Sequence, residues 1–84
     1  MMIVVFSSRN ETLYFAQALR SQGIYCQIVN TPKEAGQACG ISVKIAESLL
    51  PVARGILASR PFRAFVGIFR MSGSGTRISL ERIL

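Results

Sequence analysis

Met2-Ile3-Val4-Val5-Phe6 is an unbroken apolar run of strand length, rich in β-branched residues. Such a run has no polar side to turn toward water, so it predicts a strand buried on both faces. A strand of that kind belongs in the middle of a sheet. The rest of the chain must supply strands beside it and layers over it. At 84 residues there is room for one domain to do this. A domain of this size buries about 60% of the surface its unfolded chain exposes. Most of its apolar half must therefore pack, internally or against a second copy.

The remaining segments provide those neighbours. Ser8 and Glu11 have capping-box spacing. The helix they start runs to about Ser21, with Thr12, Phe15, Ala16 and Leu19 on one stripe and Leu13 beside it. Gly23 stands where a C-terminal cap glycine belongs. Ile24 to Val29 alternates, with Ile24, Cys26 and Ile28 on one side and Tyr25, Gln27 and Val29 on the other. Ile41 to Ile45 alternates too, with Ile41, Val43 and Ile45 inward. A second helix spans Ser48 to about Ser59 on Leu49, Val52, Ala53, Ile56 and Leu57. Pro51 fits in its first turn and Pro61 stops it. Phe62 to Met71 reads as the last strand.

The order β-α-β-β-α-β matches a ferredoxin-like α+β plan: a four-stranded antiparallel sheet with two helices on one face. This domain is expected over residues 1–71. Ser72-Gly73-Ser74-Gly75 reads as a flexible break, and Thr76 to Leu84 as a short tail. In that plan Met2, Val4, Phe6 and alternates of the last strand face the side without helices. The tail or a second subunit is expected to cover them, the latter as a homodimer through the sheet face.

Composition then narrows the chemistry. The chain has no His and no Asp, since all four acids are Glu. That removes Ser-His-Asp and Cys-His catalytic arrangements within the chain. It also removes zinc sites that use His, and two Cys do not fill a four-thiolate site. No metal and no cofactor are expected, and a carrier, binding module or subunit fits better than a self-contained enzyme. No apolar stretch approaches the roughly 20 residues that span a bilayer. The first six residues lack a basic region and a cleavage site. A cytoplasmic location, where thiols stay reduced, is the expectation.

The net charge of +6 suits either a polyanionic partner or a solvated surface. Basic residues are dispersed from Arg9 to Arg82, which favours the solvated surface. Arg63-Ala64-Phe65-Val66-Gly67-Ile68-Phe69 is similar to the aromatic strand of an RNA-recognition motif. Here, however, that strand is the fourth rather than the third, so sheet core or subunit contact is favoured over nucleic acid. Ser72 to Gly75 lacks the Lys-Ser/Thr that follows a phosphate loop.

Two thiols remain. Cys26 alternates with apolar residues on a strand and reads as a small buried hydrophobe. Cys39 ends the long connection from Asn30 to Gly40, where Gly36, Ala38 and Gly40 leave room around it. Connections of this length are often functional. Thr31, Pro32 and Glu34 suit the start of a short helical turn within it. A thiol acts as a nucleophile in its thiolate form, which Lys33 and the positive field of the chain are expected to favour. The spacing does not decide whether Cys26 and Cys39 approach closely enough for a disulfide.

Thr31-Pro32-Lys33-Glu34 followed by Cys39-Gly40-Ile41-Ser42-Val43-Lys44 resembles the hallmark of the selenium/sulfur carrier-like family. In these small bacterial domains a Thr-Pro-Arg segment precedes a Cys-Gly pair that enters a strand. Val4-Val5-Phe6-Ser7-Ser8 and Leu19-Arg20-Ser21-Gln22-Gly23-Ile24 also fit the pattern, so the resemblance covers about residues 2–71. It implies that Cys39 carries sulfur or selenium as a persulfide-type adduct, with Thr31, Pro32 and Gly40 shaping its loop. Lys33 stands where the family has Arg, which keeps the charge and loses the bidentate fork. The implied partners are a cysteine desulfurase or other selenium/sulfur-relay proteins. The alternatives are a basic nucleic-acid or regulatory module, and a purely structural oligomerising subunit.

Overall fold

The protein is described by a computed structural model covering residues 1–36, 38–74 and 77–84. β1 (Met2–Phe6) is buried at every position. It sits at the centre of a five-stranded sheet in the order β2-β3-β1-β4-β5. Its companions are β2 (Gln27–Asn30), β3 (Ile41–Ile45), β4 (Phe65–Ser74) and β5 (Arg77–Arg82), and all pairings are antiparallel. α1 (Arg9–Ser21) follows β1, and α2 (Leu50–Ser59) follows β3. Short 3-10 turns occupy Lys33–Ala35 and Glu47–Leu49.

The architecture is α+β, and its first four strands have the ferredoxin-like order. The expected four-stranded sheet is corrected to five strands. Ser72 to Ser74 continue β4, and Arg77 to Arg82 form β5 rather than a tail. Met71 pairs with Leu80, Ser72 with Ser79 and Gly73 with Ile78. Ser72, Gly73 and Ser74 hold extended conformation by pairing with β5 only a few positions further along the chain, a hairpin contact in place of the expected break. Gly75 of the expected break, Thr76 of the expected tail and Gln37 of the long connection lie outside the described residues.

Two strand starts also move. β2 begins at Gln27 instead of Ile24 because α1 ends in a Schellman motif. Gly23, at φ +74°, donates its N–H to the Arg20 carbonyl at 2.9 Å, and Ile24 donates to Leu19 at 3.1 Å. β4 begins at Phe65 instead of Phe62 because the Glu11 carboxylate holds the backbone just before it. Its oxygens accept from Arg63 N–H at 3.0 Å and Ala64 N–H at 2.9 Å. The capping box is thus half made. Ser8 Oγ accepts from Glu11 N–H at 3.2 Å, while the Glu11 carboxylate serves β4.

Both helices cover one face. Phe15, Ala16 and Leu19 of α1 and Ala53 and Ile56 of α2 pack on Met2, Val4, Phe6, Val43, Ile45 and Ile68. Phe6 lies between Phe62 at 5.3 Å, Phe15 at 5.5 Å and Phe65 at 5.8 Å, measured between ring centroids. Ile3 and Val5 turn to the opposite face with Phe69 and Ala35. The expectation that Met2, Val4 and Phe6 face the open side is therefore reversed. A run that is apolar at every position does not reveal its parity.

A bulge explains the placement of the β4 aromatics. Val5 pairs with Gly67 but Phe6 pairs with Phe65, so Val66 is an extra residue. Phe65 and Phe69 are four apart, yet they fall on opposite faces. The face without helices is closed from within the chain. Ala35 and Ala38 of the long connection and Leu80 of β5 pack over Ile3, Val5 and Phe69.

Arg70 joins three further segments. It bonds Glu47 at 2.9 Å and Glu81 at 3.1 Å, and Glu47 lies 3.6 Å from the amino-terminal ammonium. The Arg70 hydrogen bond holds the Glu47 carboxyl below its ordinary range. Among the described residues, no helix is long and apolar enough to cross a membrane.

Candidate functional site

The connection between β2 and β3 is a closed loop. At its base Thr31 N–H donates to the Gly40 carbonyl at 2.9 Å. Beside that bond the Thr31 and Ser42 hydroxyls lie 2.5 Å apart. Ser42 is fully buried in β3, so its hydroxyl needs this partner. Pro32, at φ −62°, leads into the 3-10 turn, and its carbonyl accepts from Ala35 N–H at 3.0 Å. The turn sets Ala35, 7% exposed, against the back of the sheet. The small side chains of Ala35 and Ala38 thus let the loop lie close to the sheet, while the exposed Gly36 serves the turn through its φ of +82°.

Gly40 adopts φ +99°, a conformation that other L-residues avoid. A Cβ there would meet no atom within 4 Å, so backbone conformation rather than space selects glycine. The kink breaks the β1–β3 register, in which Val5 opposes Ser42. Cys39 N–H is thereby brought to the Phe6 carbonyl at 3.3 Å. The cysteine is thus fixed at the end of the central strand, over the first turn of α1.

Cys39 is half-buried and unpaired by any disulfide. Its Sγ donates to the Ile41 carbonyl at 3.4 Å and lies 3.4 Å from Thr12 Oγ1. Thr12 is fully buried, and its hydroxyl donates to the Ser8 carbonyl at 2.9 Å. This arrangement accounts for each proton: the thiol turns to a carbonyl and the hydroxyl closes the helix turn. Once the sulfur has lost its proton it no longer donates to Ile41. Among the described residues, the Thr12 hydroxyl is then a side-chain donor within reach.

The structure brings Thr31, Pro32, Gly40 and Cys39 into one loop. Lys33 is exposed at the start of the turn; its carbonyl accepts from Gly36 N–H at 3.1 Å, while among the described residues its ammonium group is in no hydrogen bond or ion pair. Its charge therefore faces solvent rather than the sulfur through a direct contact. The sequence sets Thr12 on the buried stripe of α1 and Ser42 in a strand, but gives neither as a partner of the loop. The available signal for Thr12 was a hydroxyl on the apolar stripe of α1, which requires a partner when buried.

Cys26 is 5% exposed in the helix-side core, with Sγ 3.8 Å from the Ala16 carbonyl. Phe65 packs on Phe6, and Phe69 is 6% exposed beneath Arg82, whose Cζ is 4.9 Å from the ring centre. The rings that would stack on bases are thus engaged within the fold. Arg60 lies over Tyr14 at 4.3 Å, and Arg82 donates to the Val66 carbonyl at 2.8 Å. No cluster of three or more His, Cys, Asp or Glu suited to a metal occurs among the described residues.

A family model described as putative Se/S carrier protein-like matches residues 1–63. No curated protein and no solved structure gives a significant match. The matched segment includes the whole 31–40 loop and ends before β4.

Proposed function

We propose that this chain, which belongs to the putative Se/S carrier protein-like family, carries sulfur or selenium on Sγ of Cys39. The observation that carries this reading is the contrast between its thiols. Cys39 is the accessible one, held in a shaped loop inside the family-matched segment, while Cys26 is enclosed in the core.

Loading is a thiol exchange. The Cys39 sulfur, as thiolate, attacks the outer sulfur of a persulfide on a donor protein of the cysteine desulfurase type. The donor's S–S bond breaks, a new S–S bond forms on Cys39, and the donor leaves as a thiolate. The two sulfurs exchange oxidation states, so no outside oxidant or reductant takes part. Delivery is the reverse step onto an acceptor nucleophile, with Cys39 leaving as thiolate. Thr12 stands where its hydroxyl can turn to that departing sulfur. Neither step requires an internal His or Asp, in keeping with a chain that has none. The selenium version substitutes selenium for the outer atom.

Incubation with a cysteine desulfurase and cysteine, followed by mass spectrometry, tests the reading. One added sulfur atom is expected on Cys39, removable by reductant, retained in Cys26→Ala and missing from Cys39→Ser. Absence of the adduct, or equal loading of both cysteines, overturns it.

A further inference from the structure

β5 is an edge strand of the sheet. The chain continues the β4–β5 ladder past its last pair, where Ile83 N–H donates to the Ile68 carbonyl at 2.7 Å. Backbone direction alternates along an antiparallel strand. Ser79 and Glu81 therefore address β4, and Ile78 and Leu80 present their N–H and C=O groups outward. An open row of such groups is a template for another strand.

The sequence of this strand is complementary to itself. Arg77-Ile78-Ser79-Leu80-Glu81, turned about a two-fold axis at Ser79, sets position 77 opposite position 81 and Ile78 opposite Leu80. Aliphatic residues then meet within the pair, the small Ser79 meets its own copy, and the sequence sets residue types of opposite charge at the two ends, where Glu81 also bonds Arg70 of its own chain. Ser79 is exposed and the Glu81 side chain is 71% exposed, so neither is enclosed by its own chain. The register also matches the outward groups. Ile78 and Leu80 of each copy exchange backbone hydrogen bonds, as a bonded antiparallel pair does. Leu80 already packs on the back cluster with Phe69 and Met71, so pairing continues that apolar layer from one copy to the next.

We propose that β5 pairs antiparallel with β5 of a second copy of this chain, about a two-fold axis at Ser79, joining the two sheets edge to edge. The strand lies beyond the family-matched residues 1–63, and its pairing takes part in no step of the Cys39 chemistry. One short strand pair buries less area than a standard interface, so the dimer is weak and concentration-dependent.

Analytical ultracentrifugation from about 10 μM to about 1 mM covers the range expected of so small an interface. A monomer–dimer equilibrium is expected for the wild-type chain. Ser79→Lys sets two ammonium groups face to face and is expected to weaken Kd about tenfold or more. Arg77→Glu and Glu81→Arg should each weaken self-association, whereas an equimolar mixture of the two recovers a heterodimer. Circular dichroism of each variant at low concentration checks that the monomer remains folded, and the mixture guards against local damage to β5. A monomer throughout the range, a dimer unchanged by Ser79→Lys, open-ended assemblies, or no recovery on mixing would each overturn the proposal. A dimer through the β2 edge would show itself by surviving Ser79→Lys.

Discussion

Phe6→Ala is expected to remove about 3–5 kcal/mol of stability, read from the midpoint of urea unfolding. A domain of this kind has only about 5–15 kcal/mol in total. The size of the effect follows from position. Phe6 is fully buried and touches Phe15 of α1, Phe62 of the link to β4, and Phe65 across the bulge. Removing its ring opens a cavity where β1, α1 and the approach to β4 converge. Each aromatic pair adds about 0.5–1.5 kcal/mol beyond area burial. Phe6→Leu keeps most of the volume and should lose far less. A loss below about 1 kcal/mol for Phe6→Ala would mean that the aromatic cluster does not close this end of the core.

Glu11→Ala is expected to cost about 2 kcal/mol, although Glu11 is a partly exposed acid on a surface helix. Its carboxylate accepts from two backbone N–H groups, those of Arg63 and Ala64. Hydrogen bonds to charged groups are stronger than neutral ones. At about 4–8 °C per kcal/mol in a domain of this size, the melting temperature should fall by about 8–16 °C. Glu11→Gln keeps one acceptor oxygen and should fall between the two. An unchanged melting temperature for Glu11→Ala would show that water replaces the carboxylate without loss. The connection to function is short. Glu11 is in the first turn of α1, beside Thr12, and Thr12 is the side chain that reaches Cys39.

Much of this fold is legible in local pattern. The apolar run from Met2 to Phe6 specifies a central strand, and the stripe of Thr12, Phe15, Ala16 and Leu19 specifies the buried side of α1. Gly23 marks the helix end, and Pro51 falls within the first turn of α2. What escapes is which segments pair and which face they turn inward. Ile78 and Leu80 alternate as a strand should, but Ser72 and Gly73 look like a linker until Ser79 and Ile78 pair with them. The parity of β1 is hidden because Ile3 and Val4 are equally apolar, and only the packing of α1 and the Ala35 turn decides it.

The site divides in the same way. Thr31, Pro32, Cys39 and Gly40 are visible as a loop with an unusual composition, and they do form one loop. Lys33 belongs to that loop by sequence, but among the described residues its ammonium group makes no bond to the sulfur. Thr12 is 27 positions from Cys39, and no spacing rule links a helix threonine to a cysteine so distant. Fold and site thus depend on each other. The loop that carries the cysteine is also the layer that closes the back of the sheet through Ala35 and Ala38.

Timed alkylation of the native protein, followed by peptide mass spectrometry, tests the central claim that this fold presents Cys39 and withholds Cys26. Cys39 is expected to react at the rate of an accessible thiol. Cys26, 5% exposed, must wait for an opening of the core and should react at least about a hundredfold more slowly. In denaturant the two rates should converge. Comparable native rates, or faster labelling of Cys26, would contradict the assignment of Cys39 as the carrier thiol.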